Sequence, residues 1–325
     1  MMACSVVLLA SCSAPVLAPT YTVPWFSLRQ HPVVGILGDT QRTSILEVWR
    51  ERNDPQRERL LRQFAQQRPD VMIHLGDMVF YGSDHDDWDY FDRVMEPARR
   101  AGISVLPILG NHEYFGVDRV MQEHVRLRFG DAPLGWSSTV IDSVAFVLLN
   151  TNYREIGLEA MEQQRRWYVR TMRDFEVADS VVFIVVCGHH PPYTNSTVVE
   201  DDALLQQYFL PVYMTSRKSA VWFSGHAHAY EHFYINMKHF VVSGGGGGPR
   251  QRLLAGDGEQ HIDMYQPAED AVLRPFHYCT VERTDRTLHV VMHPLQMPGI
   301  IPAPADSFAV AVSGTDTGTD TGAGR

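Results

Sequence analysis

The chain has 325 residues, 45% of them hydrophobic and 20% charged, an ordinary globular composition with room for one large domain or two of common size. Its 38 acidic and 28 basic residues give a formal charge of −10, and no Lys/Arg block exceeds a pair, which argues against a non-specific nucleic-acid surface. A small phosphorylated substrate would need something other than surface Lys and Arg to neutralise it, and no run approaches the roughly 18 apolar residues of a membrane-spanning helix.

The N-terminus, MMACSVVLLASCSAP, carries a short apolar run from Val6 to Ala10 and small residues up to Cys12. Leu9-Ala10-Ser11-Cys12 resembles the lipobox of bacterial lipoproteins. That implies a signal peptide over 1–12, lipid attachment to the Cys12 thiol, and an exported protein anchored in the cell envelope. The run is short and the first basic residue is Arg29, so a frayed apolar N-terminus is the competing reading. Residues 13–30 read as a tether. Cys187 and Cys279 lie in apolar runs without CxxC spacing and read as buried thiols, not zinc ligands.

In chain order, VVGILGD (33–39) is an apolar run ending in Gly-Asp, followed by a helical stretch with a fresh start at Asp54-Pro55. VMIHLGD (71–77) is a second such run. An Asp-rich loop leads to a helix near 88–101, then SVLPILGNHE ends a third apolar run. A helix over 117–129 precedes the hairpin pattern STVIDSVAFVLLNTN, and a long helix spans 159–175. VVFIVVCGHHPPY, a short helix from about 201, SAVWFSGHAHAYEH, HFVVSGGGGGPR and a hairpin near 276–293 complete the pattern. Strands alternating with helices predict an α/β architecture, largely parallel in its first half. Residues 31–295 read as one domain and 296–325 as an extended, low-complexity tail.

Five apolar runs end alike: Gly38-Asp39, Gly76-Asp77, Gly110-Asn111-His112-Glu113, Gly188-His189-His190 and Gly225-His226-Ala227-His228. In open α/β sheets the ligand crevice lies outside the carboxyl ends of the strands, so these blocks converge on one site. Carboxylate and amide oxygens mixed with imidazoles suit divalent first-row ions, and the donors outnumber the needs of one tetrahedral zinc. Two metals fit better.

The order Asp…Gly-Asp…Gly-Asn-His-Glu…Gly-His…Gly-His-x-His resembles the calcineurin-like metallophosphoesterase superfamily, which includes the purple acid phosphatases. The resemblance covers 33 to about 245. It implies a four-layer sandwich, two facing mixed β-sheets flanked by helices, and two divalent ions (Mn, Fe or Zn). Asp39 and His228 would bind the first metal, Asp77 both, and Asn111, His189 and His226 the second. His112 would act as general acid beside the leaving group, and Glu113 would hold His112 in place. The implied reaction is hydrolysis of a small phosphate ester by a hydroxide bridging two cations, which clamp the attacking and leaving oxygens. A phosphomonoesterase is favoured slightly over a phosphodiesterase or nucleotide pyrophosphatase. A non-catalytic metal-containing binding protein is the competing class.

Some positions depart from the pattern. Gln41 stands where many members have histidine, and is either a neutral oxygen ligand or a solvent-facing side chain. Phe80 stands where purple acid phosphatases place tyrosine, with Tyr81 one residue later. His74 reads as packed, His85 and His124 as exposed, and His232 as structural. His190 either lines the substrate pocket, supports the ligands from behind or lies at the surface. The acidic cluster Asp84-Asp86-Asp87-Asp89 lacks the glycine and terminal glutamate of an EF-hand loop and reads as a solvated loop and helix cap. The run Gly244–Gly248 is no Walker loop. It is either a flexible turn or a means of bringing backbone close to the metals.

Overall fold

The apolar runs become strands because each is rich in branched side chains and is covered on both faces. The computed structural model describes residues 20–21, 29–45, 47–265, 272–300 and 303–312. Its strands are β1 (Val33–Leu37), β2 (Val71–His74), β3 (Ser104–Pro107), β4 (Ser137–Ile141), β5 (Val144–Leu148), β6 (Phe183–Cys187), β7 (Ser219–Ser224), β8 (Tyr230–Ile235), β9 (Lys238–Ser243), β10 (His277–Thr284), β11 (Thr287–Pro294) and β12 (Asp306–Ala311). They form two six-stranded sheets, ordered β12-β11-β10-β1-β2-β3 and β4-β5-β6-β7-β9-β8. β1, β2 and β3 run parallel, as do β5, β6, β7 and β9; the remaining neighbours are antiparallel.

The sheets face each other across a core that includes Ile36, Ile73, Phe146, Val185, Val221 and Phe223. The outer face of the first sheet is covered by α1 (Asp54–Gln67), α2 (His85–Val94), α3 (Glu96–Arg100) and α4 (Asp118–Phe129). The second is covered by α5 (Tyr153–Val177), α6 (Ala203–Tyr208) and α7 (Leu210–Thr215). This is the expected four-layer α/β sandwich. Both faces of the parallel strands are buried, which is why they read as continuous apolar runs. Register aligns the strand ends: Leu37 lies opposite His74, and His74 opposite Pro107. The sheets are joined at that end by backbone bonds from Gly38 N to Ser243 O (3.0 Å) and Gly246 N to Gly38 O (2.9 Å). Cys187 and Cys279 are free buried thiols, as expected.

Several expectations are corrected. The described residues between Asp39 and α1 form no helix or strand. The helix expected over 88–101 is two, α2 and α3, separated at Met95 with Pro97 in the first turn of α3. The helix expected from 159 begins at Tyr153 and carries a non-helical Gly157 (φ 81°). β12 extends the first sheet beyond 295, so the C-terminal segment is not all tail. Its alternating burial is the pattern of an edge strand exposed on one face. Tyr21, placed in the tether, is buried: its hydroxyl donates to Asp92 at 2.7 Å and its ring stacks on Phe129. His124, expected to be exposed, is buried with its ring stacked on Trp88. Asp84 caps α2 by accepting from Asp86 N, as expected. Residues 1–19, with the lipobox and Cys12, and 313–325 lie outside the described residues.

Candidate metal centre and active site

Each donor block sits on the turn that leaves a parallel strand. Asp39, Asp77 and His226 hold left-handed backbone angles (φ 63°, 55° and 65°), which non-glycine residues adopt seldom and at a cost of order 1–3 kcal/mol. Three of the predicted ligands therefore occupy strained positions that the surrounding fold imposes. The turns also need close approach. A Cβ at Gly110 would lie 2.2 Å from Asp77 Oδ1, and one at Gly244 would lie 2.1 Å from Ala227 O and 2.9 Å from Asp39 Oδ2. The run Gly244–Gly248 is buried and packed against the site, and it is the second of the two roles expected for it that fits this position.

The side chains gather into two groups that share Asp77. Asp77, His189 and His226 form one, and Asp39, Asp77 and His228 the other; within each, the ligating atoms lie within 4.8 Å of one another. His189 Nδ1–H donates to Leu75 O (2.8 Å) and His228 Nδ1–H to Pro249 O (2.7 Å). Backbone carbonyls can only accept, so both rings turn a bare Nε2 inward, the arrangement that orients metal-binding histidines. His189 Nε2 is 3.1 Å from Asn111 Oδ1 and 3.4 Å from Asp77 Oδ1; His228 Nε2 is 3.4 Å from Asp39 Oδ1. Lone pairs face lone pairs across these gaps.

Protonation does not relieve the conflict at the rings. Burial holds the pKa of His189 and His226 well below the ordinary value and lowers that of His228 to about 4, so all three rings are neutral. Burial, and next the charge of Asp77, push the Asp39 carboxyl well above the usual range. Neutral imidazoles and crowded buried carboxylates are what divalent cations reconcile, and the donor set of carboxylate, amide and imidazole fits them. The residues present therefore fit two metal ions.

Gln41 is 1% exposed, so the solvent-facing alternative is wrong. Its Nε2 lies 3.1 Å from both Asp77 Oδ2 and His228 Nε2, and its buried Oε1 has no hydrogen-bond partner among the described residues. A half-turn of the amide exchanges the two atoms and sets an oxygen toward the first group, as a neutral ligand requires. Tyr81 is 43% exposed, its ring beside Phe115. His74 is packed, as expected: Nδ1 accepts from Gly76 N and Nε2 contacts Thr40 Oγ1 at 2.9 Å, while burial lowers its pKa to about 3.

His112 stands apart from the ligand groups. Its backbone N–H donates to Asp77 Oδ1 (3.0 Å) and its Nδ1–H to Phe80 O (2.7 Å), which leaves Nε2 3.9 Å from Asp77 Oδ2. Phe80 and Phe115 flank the ring, whose side chain is 16% exposed against 0% for His189. Glu113 does not hold this ring, contrary to expectation. Its buried carboxylate accepts from the backbone N–H groups of Asp77 (2.9 Å), Met78 (2.7 Å), Val79 (3.2 Å) and Gly110 (2.6 Å). The carboxylate points back under the β2 turn, where four unpaired donors outcompete the imidazole. Glu113 thus ties the turn after β2 to the turn after β3.

Two supporting residues went unrecognised in the sequence. Thr151 Oγ1 accepts from His189 N (3.2 Å) and His190 N (3.0 Å), fixing the fourth block. The Asn-Thr-Asn burst after β5 was its signal, since it repeats the pattern of polar residues at a strand end. Arg57, fully buried on α1, donates to Gln41 O and Gly247 O (both 2.8 Å), joining the first block to the glycine run. Nothing in the helical pattern marked it.

A cleft of about 680 Å³ opens beside the second group, its walls including Asn111, Phe115, Thr151, Arg154, His190 and His226.

Comparisons with known proteins agree with this geometry. The family profile for calcineurin-like phosphoesterases matches residues 32–230. No curated protein matches the chain. Among solved structures, the purple acid phosphatase PPD1 from yellow lupin (Lupinus luteus) seeds is similar with a TM-score of 0.66 and 17% identity over 86% of this chain. The matched region is 54% of the lupin protein, so the chain spans about half its length. GAP50, described as the anchor in the inner membrane complex of Plasmodium, gives a TM-score of 0.66 at 13% identity over 88% of this chain and 90% of its own. A dimetal phosphatase from Danio rerio gives 0.56 at 15% identity over 87% and 99%. At these identities the likenesses speak for the fold, and the profile, spanning more than half of the chain, speaks for descent. The chain belongs to the calcineurin-like phosphoesterase family.

Proposed function

We propose that this protein is a metal-dependent hydrolase of small phosphate esters, with monoesters preferred over diesters. The fold alone does not decide this, because the same architecture serves an anchor protein as well as phosphatases. The observation that carries the proposal is His112. Its Nδ1 proton is committed to Phe80 O, and its partly exposed Nε2 stands beside the shared carboxylate Asp77 without joining either ligand group. A site that only stored metal would have no use for a separate imidazole held in this way.

Bound divalent ions would supply positive charge for the phosphoryl oxygens and a water acidic enough to attack near neutral pH. The protein's own part is to hold the ions' ligands neutral or shared, through the Leu75 and Pro249 carbonyls, and to place His112 at the leaving side. Imidazolium at His112 gives its Nε2 proton to the departing alkoxide, a step worth typically 10²–10⁴-fold. Purified protein supplied with Mn²⁺ should hydrolyse para-nitrophenyl phosphate faster than its bis ester. Hydrolysis of neither, in a folded metal-loaded sample, would favour the non-catalytic alternative.

Export and lipid anchoring at Cys12 are carried as a separate proposal, supported by the lipobox-like sequence. Fatty-acid labelling in a bacterial host should be abolished by Cys12→Ser; label that survives contradicts it.

A further inference from the structure

His190 follows a predicted ligand but belongs to neither ligand group. Its Nδ1 lies 2.8 Å from Thr151 Oγ1. That oxygen already accepts two backbone hydrogen bonds, from His189 N and His190 N. With both lone pairs used, the threonine hydroxyl has only its proton to offer, and it offers it to Nδ1. The acceptor role fixes the tautomer, so the ring's proton sits on Nε2. Among the described residues Nε2 has no hydrogen-bond partner, nor is it among the buried polar atoms lacking one. The ring lies against His226 (centroids 4.5 Å apart) and lines the cleft together with Asn111.

We propose that His190 contacts the substrate directly, its Nε2–H donating to a phosphoryl oxygen in the cleft beside Asn111 and His226. This rests on the phosphoester reading above and adds to it a second imidazole, one that binds without transferring a proton. Thr151 is its positioning residue. The cleft holds few other fixed donors: Arg154 is an exposed side chain on its wall, and Glu155, Glu200, Asp201 and Asp202 can only accept when ionised. A neutral donor of fixed direction suits an anion there, since hydrogen bonds to charged groups are the stronger kind.

Two substitutions separate this role from a structural one. His190→Asn keeps an acceptor near the Nδ1 position, preserving the Thr151 bond, but removes the Nε2 donor. His190→Gln loses the Thr151 bond but returns an N–H near the Nε2 position. In Mn²⁺-loaded protein, His190→Asn should lower kcat/KM for para-nitrophenyl phosphate by about 10- to 100-fold and weaken inorganic phosphate binding in calorimetry by a similar factor, with metal content and melting temperature unchanged. His190→Gln should recover most of both. A merely structural role predicts the reverse order, and that result overturns the proposal, as does wild-type behaviour of His190→Asn. If the wild type hydrolyses nothing, the phosphoester reading fails. Phosphate calorimetry still decides this inference, because equal affinity in wild type and His190→Asn, or no phosphate binding at all, refutes it.

Discussion

His112 Nδ1 lies 2.7 Å from the carbonyl oxygen of Phe80, and that contact sets which ring nitrogen faces the reaction. The carbonyl can only accept, so Nδ1 keeps its proton at every stage and Nε2 alone gains or loses one. Replacing His112 by Asn should leave metal content unchanged and lower kcat by about 10²-fold or more, as expected for loss of a general acid. Metal analysis beside steady-state kinetics checks this. Loss of an ion together with activity would make His112 a ligand.

Glu113 ties the turn after β2 to the turn after β3. Its carboxylate collects four backbone N–H groups, three from the turn after β2 and one from Gly110. Burial, and next the charge of Asp77, push its pKa up to about 8, while the backbone N–H groups of Gly110, Val79 and Asp77 act against that shift. In Glu113→Gln an amide NH₂ is set against those donors, leaving at least one unpaired, at a cost of roughly 1–3 kcal/mol for each. The turn carrying Asp77 should loosen, so metal affinity should fall although Glu113 touches no ion. Denaturant unfolding and metal titration read the two effects. A variant with wild-type stability and weakened metal would show that the carboxylate acts on the ions and not on the turn.

The five donor blocks were legible because each is local: a branched apolar run, a glycine, then donors within one turn. Parallel strands placed them together without further information. Glu113 was misassigned because its partners follow from a turn 36 residues away, where the nearest neighbour in sequence, His112, looked the natural choice. Thr151 and Arg57 act across 38 and 190 residues, distances over which composition says nothing. Tyr21 and β12 were missed for a related reason. Each is a short segment whose burial is supplied by the folded body, through Phe129 and Asp92 for Tyr21 and through pairing with β11 for the strand.

Acid should weaken the fold through its buried histidines. His277 is fully buried between Ser243 Oγ (3.1 Å) and Pro275 O (3.0 Å), and burial lowers its pKa to about 4. The unfolded value is about 6.5, so between these values the unfolded chain binds the proton and the folded chain does not. The contribution is fully present above about pH 6.5 and is lost as pH falls toward 4, by up to about 3 kcal/mol. Glu231, pushed up to about 8 by burial, acts with the opposite sign, its contribution fading as pH rises from about 4.5 toward 8. The difference between wild type and His277→Gln isolates the histidine. Their unfolding free energies should differ by a constant amount above neutral pH and converge below about 6.5. Parallel curves down to about pH 4 would mean that His277 titrates normally.

Elemental analysis after purification without chelator should find up to two ions per chain, one for each of the two groups that share Asp77. Asp77→Asn should lose both, whereas His228→Asn should spare the group of Asp77, His189 and His226. The first group offers Asp39, Asp77 and His228, with Gln41 as a neutral addition. Among the described residues no phenolate joins them: Phe80 has no oxygen on its side chain, and Tyr81 is exposed beside Phe115, its backbone N–H tied to Asp87. Without that anion the site has less charge with which to hold a trivalent ion, and divalent Mn, Fe or Zn suits its donors better. The intense visible band of a purple phosphatase arises from tyrosinate bound to ferric iron. Iron-loaded, air-oxidised protein should therefore stay without one. A strong band that disappears in Tyr81→Phe would mean that the loop carrying Tyr81 turns inward when metal binds, and that the first site is a ferric one.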